Sequence, residues 1–152
     1  MAAQAGRTNS KHVTVLLDNT GGTLTDISAY VNQIGTVGLT YESQDTTAFS
    51  DGSTNVTIGQ PTADLSIGGP FDTVSHAQMI AINGVMTPLS LDIRVGIRQA
   101  WESGEPQFGI TSSSTIGYVM TSYIPDLNAM TWTATLSVFG ATAPAWGTSA
   151  ET

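Results

Sequence analysis

Apolar and polar residues alternate with a period of two along much of the chain, the mark of strands that bury one face. Val13, Val15 and Leu17 share one side of a first strand, and Asp18-Asn19-Thr20-Gly21-Gly22 reads as the turn that follows. A short segment at 27–31 precedes a strand expected over 34–41, with Gly35 and Gly38 inside it. Residues 55–60 and 62–68 read as two strands meeting at Pro61. In the second of these, Ala63, Leu65 and Ile67 face one way, and Thr62, Asp64 and Ser66 the other. The clearest alternation comes later. Leu89, Leu91, Ile93, Val95 and Ile97 interleave with Ser90, Asp92, Arg94, Gly96 and Arg98. Met130, Trp132, Ala134, Leu136 and Val138 interleave with Thr131, Thr133, Thr135 and Ser137. A further strand over 116–124 joins this last one through a Pro125-Asp126-Leu127-Asn128 hairpin.

The period changes once. Asp72 or Thr73 can cap a helix whose stripe is Val74, Ala77, Ile80 and Ala81, and Gly84 supplies its stop. Met79 and Ile82 widen the apolar side, which predicts a helix lying against a sheet. Two stretches carry no strand or helix pattern. One is the polar loop 42–54 (ESQDTTAFSDGST), the other is 99–114, which holds Trp101, Glu102 and Glu105. Loops this long in a compact domain usually serve function or touch a partner. The ends, 1–11 and 143–152, are small and polar and read as flexible arms around a domain over 12–142. Trp146 stands out in the second arm as an anchor, because a lone Trp in a polar tail docks on something. The pattern predicts a mainly β protein: an antiparallel β sandwich or barrel with one flanking α-helix.

Composition narrows the function. The chain has 152 residues, enough for one domain, and 40% are hydrophobic, enough for a core. Thr and Ser fill about a quarter of it, whereas charged residues are only 11%. The polar strand faces are therefore mainly hydroxyls, which solvate well and also pack against a partner subunit at low desolvation cost. Twelve acidic residues face four basic ones, for a net charge of −8. Arg7, Lys11, Arg94 and Arg98 are the whole positive inventory, which argues against gripping nucleic acid through its phosphates. A surface that nucleic acid must pass without sticking remains compatible. With no Cys, disulfides and thiolate chemistry are excluded. No run reaches 18 apolar residues, so no membrane partner is expected, and the start lacks the apolar block of a signal peptide.

Candidate chemistry is thin. Asp72, Ser75 and His76 invite a triad reading, but on a helix Ser75 points about 100° away from His76, and no nucleophile elbow surrounds it. Asp18, Asn19 and Asp26 lack the alternation and closing Glu of a calcium loop. Glu102 and Glu105 share one loop and are not placed across a cleft. Gly68-Gly69-Pro70 precedes the helix without the spacing or the Lys of a phosphate loop. No catalytic residue, metal site or cofactor is expected, and the profile suits a subunit that works by assembling.

The order of segments carries a resemblance. Leading strands and a turn (VTVLLDNTGGTLTDISAYV) are followed by the polar loop (ESQDTTAFSDGST). A strand and helix (ADLSIGGPFDTVSHAQMIAI) and a closing hairpin (IGYVMTSYIPDLNAMTWTATLSVFG) complete the set. Over roughly 12–142 this resembles the tail tube proteins, or major tail proteins, of long-tailed bacteriophages. The resemblance implies a tail-tube-like β sandwich whose copies form hexameric rings stacked into a tube. It implies a virion protein assembled in the host cytoplasm, with tape measure, tail terminator and distal tail proteins as further partners. DNA would pass through a negative lumen without specific binding. The loop's Glu42, Asp45, Phe49 and Asp51 would then contact neighbouring subunits, and Asp64 or Asp92 would face the lumen. Arg94 and Arg98, on the strand face of Asp92, would alternatively pair with acids across a subunit contact. The same fold is used by capsid decoration proteins, which is the alternative reading. A carbohydrate-binding β sandwich, with Trp101 and Trp146 as stacking platforms, is a third.

Overall fold

A computed structural model describes residues 10–19, 22–97 and 99–152. Residues 1–9 of the expected N-terminal arm, Thr20 and Gly21 of the first turn, and Arg98 lie outside the described residues. In chain order the elements are β1 (Val13–Asp18), β2 (Leu24–Asp26), β3 (Gln33–Ile34), β4 (Thr40–Asp45), β5 (Val56–Thr62), β6 (Leu65–Pro70), α1 (Thr73–Ile82), β7 (Leu91–Val95), β8 (Gln107–Ile110), β9 (Gly117–Asp126), β10 (Thr131–Phe139) and β11 (Ala145–Gly147). The protein is mainly β, and its sheets are antiparallel, with α1 beside them. One sheet runs β11-β8-β7-β1-β2, a second β3-β6-β10-β9, and β4 pairs only with β5.

The core lies between the two larger sheets, and the period-two pattern accounts for it. Val15, Leu17, Leu91 and Ile93 from the first sheet and Leu65, Ile67, Trp132, Ala134 and Leu136 from the second form one buried cluster. Each is the apolar half of an alternating strand, so every second residue reaches the interior. Tyr118 is buried with them, and its hydroxyl donates to the Ala63 carbonyl at 2.8 Å. The chain comes so close to itself at Gly109 that an added Cβ would sit 2.1 Å from the Leu91 carbonyl. Only glycine fits there.

Several boundaries differ from the sequence expectation. The strand expected over 34–41 ends at Ile34, because Gly38 takes a φ of +137° that interrupts an extended run. The loop expected over 42–54 is shorter: Glu42 and Asp45 lie in β4, and the chain turns between Asp45 and Val56. Pro61 sits inside β5, and the break falls at Ala63 and Asp64 instead. Proline is tolerated in β5 because that strand has only one neighbour. The stretch 99–114 hides a strand, β8, with all four residues buried. The hairpin expected at 125–128 turns later, since β9 runs through Pro125 to Asp126 and Met130 occupies the turn at φ 54°.

The helix is capped as expected, with the Asp72 carboxylate accepting from the Val74 N–H at 2.8 Å. Its orientation is not as expected. Ser75, Met79 and Ile82 face the core, whereas Val74, Ala77, Ile80 and Ala81, the expected inner stripe, point outward. The C-terminal segment is not a free arm either. β11 extends the first sheet through β8, and the Trp146 ring packs on Phe108 at 5.1 Å between centroids.

Candidate assembly surfaces

The β4–β5 hairpin stands apart from both sheets. Of its strand residues only Pro61 is even half-buried. A two-stranded hairpin on its own is marginal in water, and this one hydrogen-bonds to neither larger sheet. Register places Ser43 opposite Ile58 and Asp45 opposite Val56, so one face shows Val56 and Ile58 to solvent. The tip is nevertheless ordered by its own hydrogen bonds. Asp45 accepts from the Thr47 N–H at 2.9 Å, Asp51 from the Ala48 N–H at 2.7 Å, and the Thr47 hydroxyl from the Asn55 N–H at 2.7 Å. The Thr47 hydroxyl and N–H hold the Asp45 carboxyl below its usual range. Phe49 is left at the apex with its side chain wholly in solvent, at 113% relative exposure. Glu42, Asp45, Phe49 and Asp51 are thus brought onto one protruding element, Glu42 towards its base and Phe49 at its tip.

A second exposed apolar area is the outward side of α1. Val74 and Ile80 are more than half exposed, as are Ile124, Leu127 and Met130 at the β9–β10 end. The Phe71 N–H donates to the Met130 carbonyl at 2.9 Å, which sets the start of the helix next to that hairpin. The sequence carried a signal for this surface: α1 is apolar on both sides, and a helix covering a sheet needs only one.

The outer face of the second sheet is different in kind. Thr135 on β10 lies between Ser66 on β6 and Ser122 on β9, Thr133 between Gly68 and Ile124, and Thr131 between Pro70 and Asp126. Among the described residues these rows hold hydroxyls, a carboxylate and the exposed Ile124, but no Lys or Arg. Asp64 is exposed just before β6, in alternation with Ser66.

Asp92 corrects the expectation of a lumen-facing charge. Its side chain has 0% exposure, accepts from Arg94 Nε at 2.7 Å and from the Glu151 N–H at 3.1 Å, and leaves Oδ1 without a partner. The face of β7 that carries it is covered by the end of the chain, with Glu151 also bound to Gln107 and Thr111. Arg94 is therefore paired within its own chain, and its guanidinium also lies over the Trp101 ring at 5.0 Å. Trp101 is spent on this contact and on donating to the Glu105 and Pro106 carbonyls. Glu105 in turn caps the Ile97 and Glu102 N–H groups, so the two glutamates stabilise a loop and do not face each other as a pair.

The residues that suggested a triad do not converge. Asp72 is committed to the helix cap, the Ser75 hydroxyl donates to the Asp72 carbonyl at 3.1 Å, and His76 Nδ1 meets the Tyr123 hydroxyl at 3.0 Å. Burial raises the Tyr123 phenol above its ordinary value. It raises that of Tyr118 further, with the charge of Asp64 adding to the effect.

A cleft of about 640 Å³ opens between β1 and β7 on one side and the segment 28–37 on the other. Val13, Val15, Val31, Ile34 and Val37 line it, Trp146 closes one wall, and Lys11 stands at its rim. No sequence pattern announced it, because its walls come from separate parts of the chain.

Comparison with solved structures places this architecture. A chain from the tail of an empty gene transfer agent particle, solved with C6 symmetry, matches with a TM-score of 0.58 at 18% identity, over 95% of this chain and 100% of that one. The chain has the fold of a tail subunit. A chain of the anti-feeding prophage baseplate, six-fold symmetrised, matches with a TM-score of 0.56 at 9% identity, over 95% of this chain and 97% of that one. No protein-family model and no curated protein sequence matches the chain. The likeness to tail tube proteins suggested by the order of segments is therefore met at the level of the fold, across nearly the whole length.

Proposed function

We propose that this chain is a structural virion protein, a tail tube subunit whose copies form hexameric rings that stack into a conduit for DNA. The observation that carries the reading is the end-to-end match to a chain of a six-fold symmetric tail, in which neither protein has a large unmatched part. The exposed surfaces support it. A hairpin exposed on both faces and a helix with an apolar outer side are expected of a protein that is incomplete alone. In this reading the Ser and Thr rows of the second sheet line the lumen, with Asp64 and Asp126 supplying negative charge. Like charge repels the DNA backbone within a Debye length of about 8 Å at physiological salt, and hydroxyls leave no cation for phosphates to grip. Tape measure, terminator and distal tail proteins would meet the ends and the interior of such a tube during assembly in the host cytoplasm.

Negative-stain electron microscopy of the purified protein at high concentration, with light scattering on the same sample, tests the proposal. Hollow tubes or stacked six-membered rings are the expected result. Stable trimers, or monomers that coat emptied capsids, would replace it with a decoration role.

A further inference from the structure

We infer that a pocket beside Asp18 binds a guanidinium group, the head of an arginine side chain presented by another polypeptide. The site goes beyond the tail-subunit reading and stands without it. Asp18, at the end of β1, is only 3% exposed. Its Oδ2 accepts from the Ser90 N–H at 2.7 Å and lies 3.4 Å from the Ser112 hydroxyl, and its Oδ1 has no hydrogen-bond partner. A buried carboxylate is costly unless its charge is paired as well as hydrogen-bonded. Asp92, the other buried carboxylate among the described residues, also leaves Oδ1 unpartnered, but its charge is paired with Arg94 at 2.7 Å. Asp18 receives neutral donors instead.

Asp18 lines a pocket of about 480 Å³ and is the one charged residue lining it among the described residues. The walls select an organic cation. The end of α1 contributes Ala81 and Ile82, and its last turn carries no basic residue, so the negative end of the helix dipole adds to the Asp18 charge. Val85, Pro88 and Leu89 offer apolar surface to an alkyl stem, which a bare metal ion has no use for. No group of three or more His, Asp or Glu side chains that could hold a metal stands among the described residues. A guanidinium suits the pocket better than an ammonium. It is the more weakly hydrated head, and its fork of N–H donors serves Oδ1 and the oxygens of Ser112–Ser114 together. Ser113 and Ser114 are exposed, so this run can yield as the head closes on Asp18.

The chain's own arginines are Arg7, Arg94 and Arg98, and Arg94 is taken. Val13 pairs with Val95, so the chain leads towards Arg7 and Arg98 from the end of β1 and β7 away from Asp18. The donor is therefore an arginine of a second copy or of another protein. Full-length isotope-labelled protein, kept where light scattering reports no assembly, is titrated with N-acetylarginine methylamide, with its citrulline counterpart and with calcium chloride, and followed by amide NMR. The arginine compound should give saturable shifts at Gly84, Val85 and Ser112–Ser114, with a dissociation constant on the order of a few millimolar. Citrulline keeps the shape, loses the charge and should bind about tenfold more weakly or worse. D18N should weaken the arginine compound by a similar factor. V85W, which fills the pocket from an exposed position, should do so without touching the buried carboxylate. Equal binding of arginine and citrulline overturns the inference, whether or not D18N folds. So do shifts with calcium alone, or none with arginine up to about 50 mM. With arginine binding in hand, assembly separates the two donors. A second copy as donor makes D18N and R7Q/R98Q each need about tenfold more protein to assemble than the parent. Assembly of both at the parent's concentration assigns the arginine to another protein.

Discussion

Asp92 is the sharpest place to test the energetics. Its carboxylate is fully buried and accepts two hydrogen bonds, one from the Arg94 guanidinium at 2.7 Å and one from the Glu151 N–H at 3.1 Å. Hydrogen bonds to a charged group contribute roughly 1.5–3 kcal/mol each. Two effects reduce the loss on Asp92→Ala. Oδ1 has no partner, so removing the carboxylate also removes a desolvated oxygen. Arg94 is 22% exposed and keeps its contact with Trp101, so it is not stranded without solvent or partner. The net cost should be about 3 kcal/mol, at the low end for breaking a buried pair. At roughly 2–4 °C per kcal/mol for a domain of this size, the melting temperature should fall by about 6–12 °C. Thermal and urea unfolding, followed by circular dichroism at concentrations below assembly, read this directly. A double-mutant cycle with Arg94→Ala should show a coupling of about 1 kcal/mol or more. Melting of Asp92→Ala within about 2 °C of the parent, with no coupling, would refute the clamp assigned to this side chain. Asp92→Lys should fail to fold, since it sets a second cation beside Arg94 where no solvent reaches.

Other positions give further tests. Phe49→Ala should leave the melting temperature of the monomer unchanged, because the ring touches solvent alone, and a loss of monomer stability would show that the tip folds onto its own domain. Gly109→Ala should lower stability by about 2 kcal/mol or more, since the new methyl collides with the Leu91 carbonyl between β7 and β8; an unfolding midpoint equal to the parent's would contradict that close approach. Tyr118 makes stability depend on alkaline pH. Its folded pKa lies above that of the unfolded chain, so its contribution is complete below the ordinary tyrosine value of about 10 and declines as pH rises beyond it. Urea unfolding between neutral pH and pH about 11 should show this decline, and Tyr118→Phe should flatten it while costing about 1 kcal/mol at neutral pH for the lost bond to Ala63. An identical alkaline slope in the two proteins would assign the effect elsewhere.

Much of the architecture was legible in the order of residues because strand geometry is local. Alternation alone put Val15 and Leu17, Leu65 and Ile67, and Trp132, Ala134 and Leu136 in the core, since successive side chains on a strand must point to opposite faces. Asp72 announced the helix for the same reason, because a cap acts on N–H groups two residues away. The order of these segments was enough to suggest a tail-tube-like sandwich. What the pattern could not say is which face of an element another part of the chain would cover. Alternation puts Asp92 on the outer face of β7, where a lumen was expected, but Glu151, 59 positions later, lies across that face. Helix α1 has apolar residues on two sides, so the stripe of Val74, Ala77, Ile80 and Ala81 pointed the wrong way: the sheet took Met79 and Ile82 and left Val74 and Ile80 outside. β8 has four residues, too few for a period, and its place is set by pairing with β7 and β11 on either side. The cleft beside β1 has walls from 13–15, 31–37 and 146, and exists only once those segments meet. The long alternating strands, their buried halves and the helix cap are readable in the order of residues, because they follow from interactions a few residues long. Coverage, cavities and the surfaces left for assembly were decided by the tertiary structure, because they depend on contacts between residues far apart in the chain.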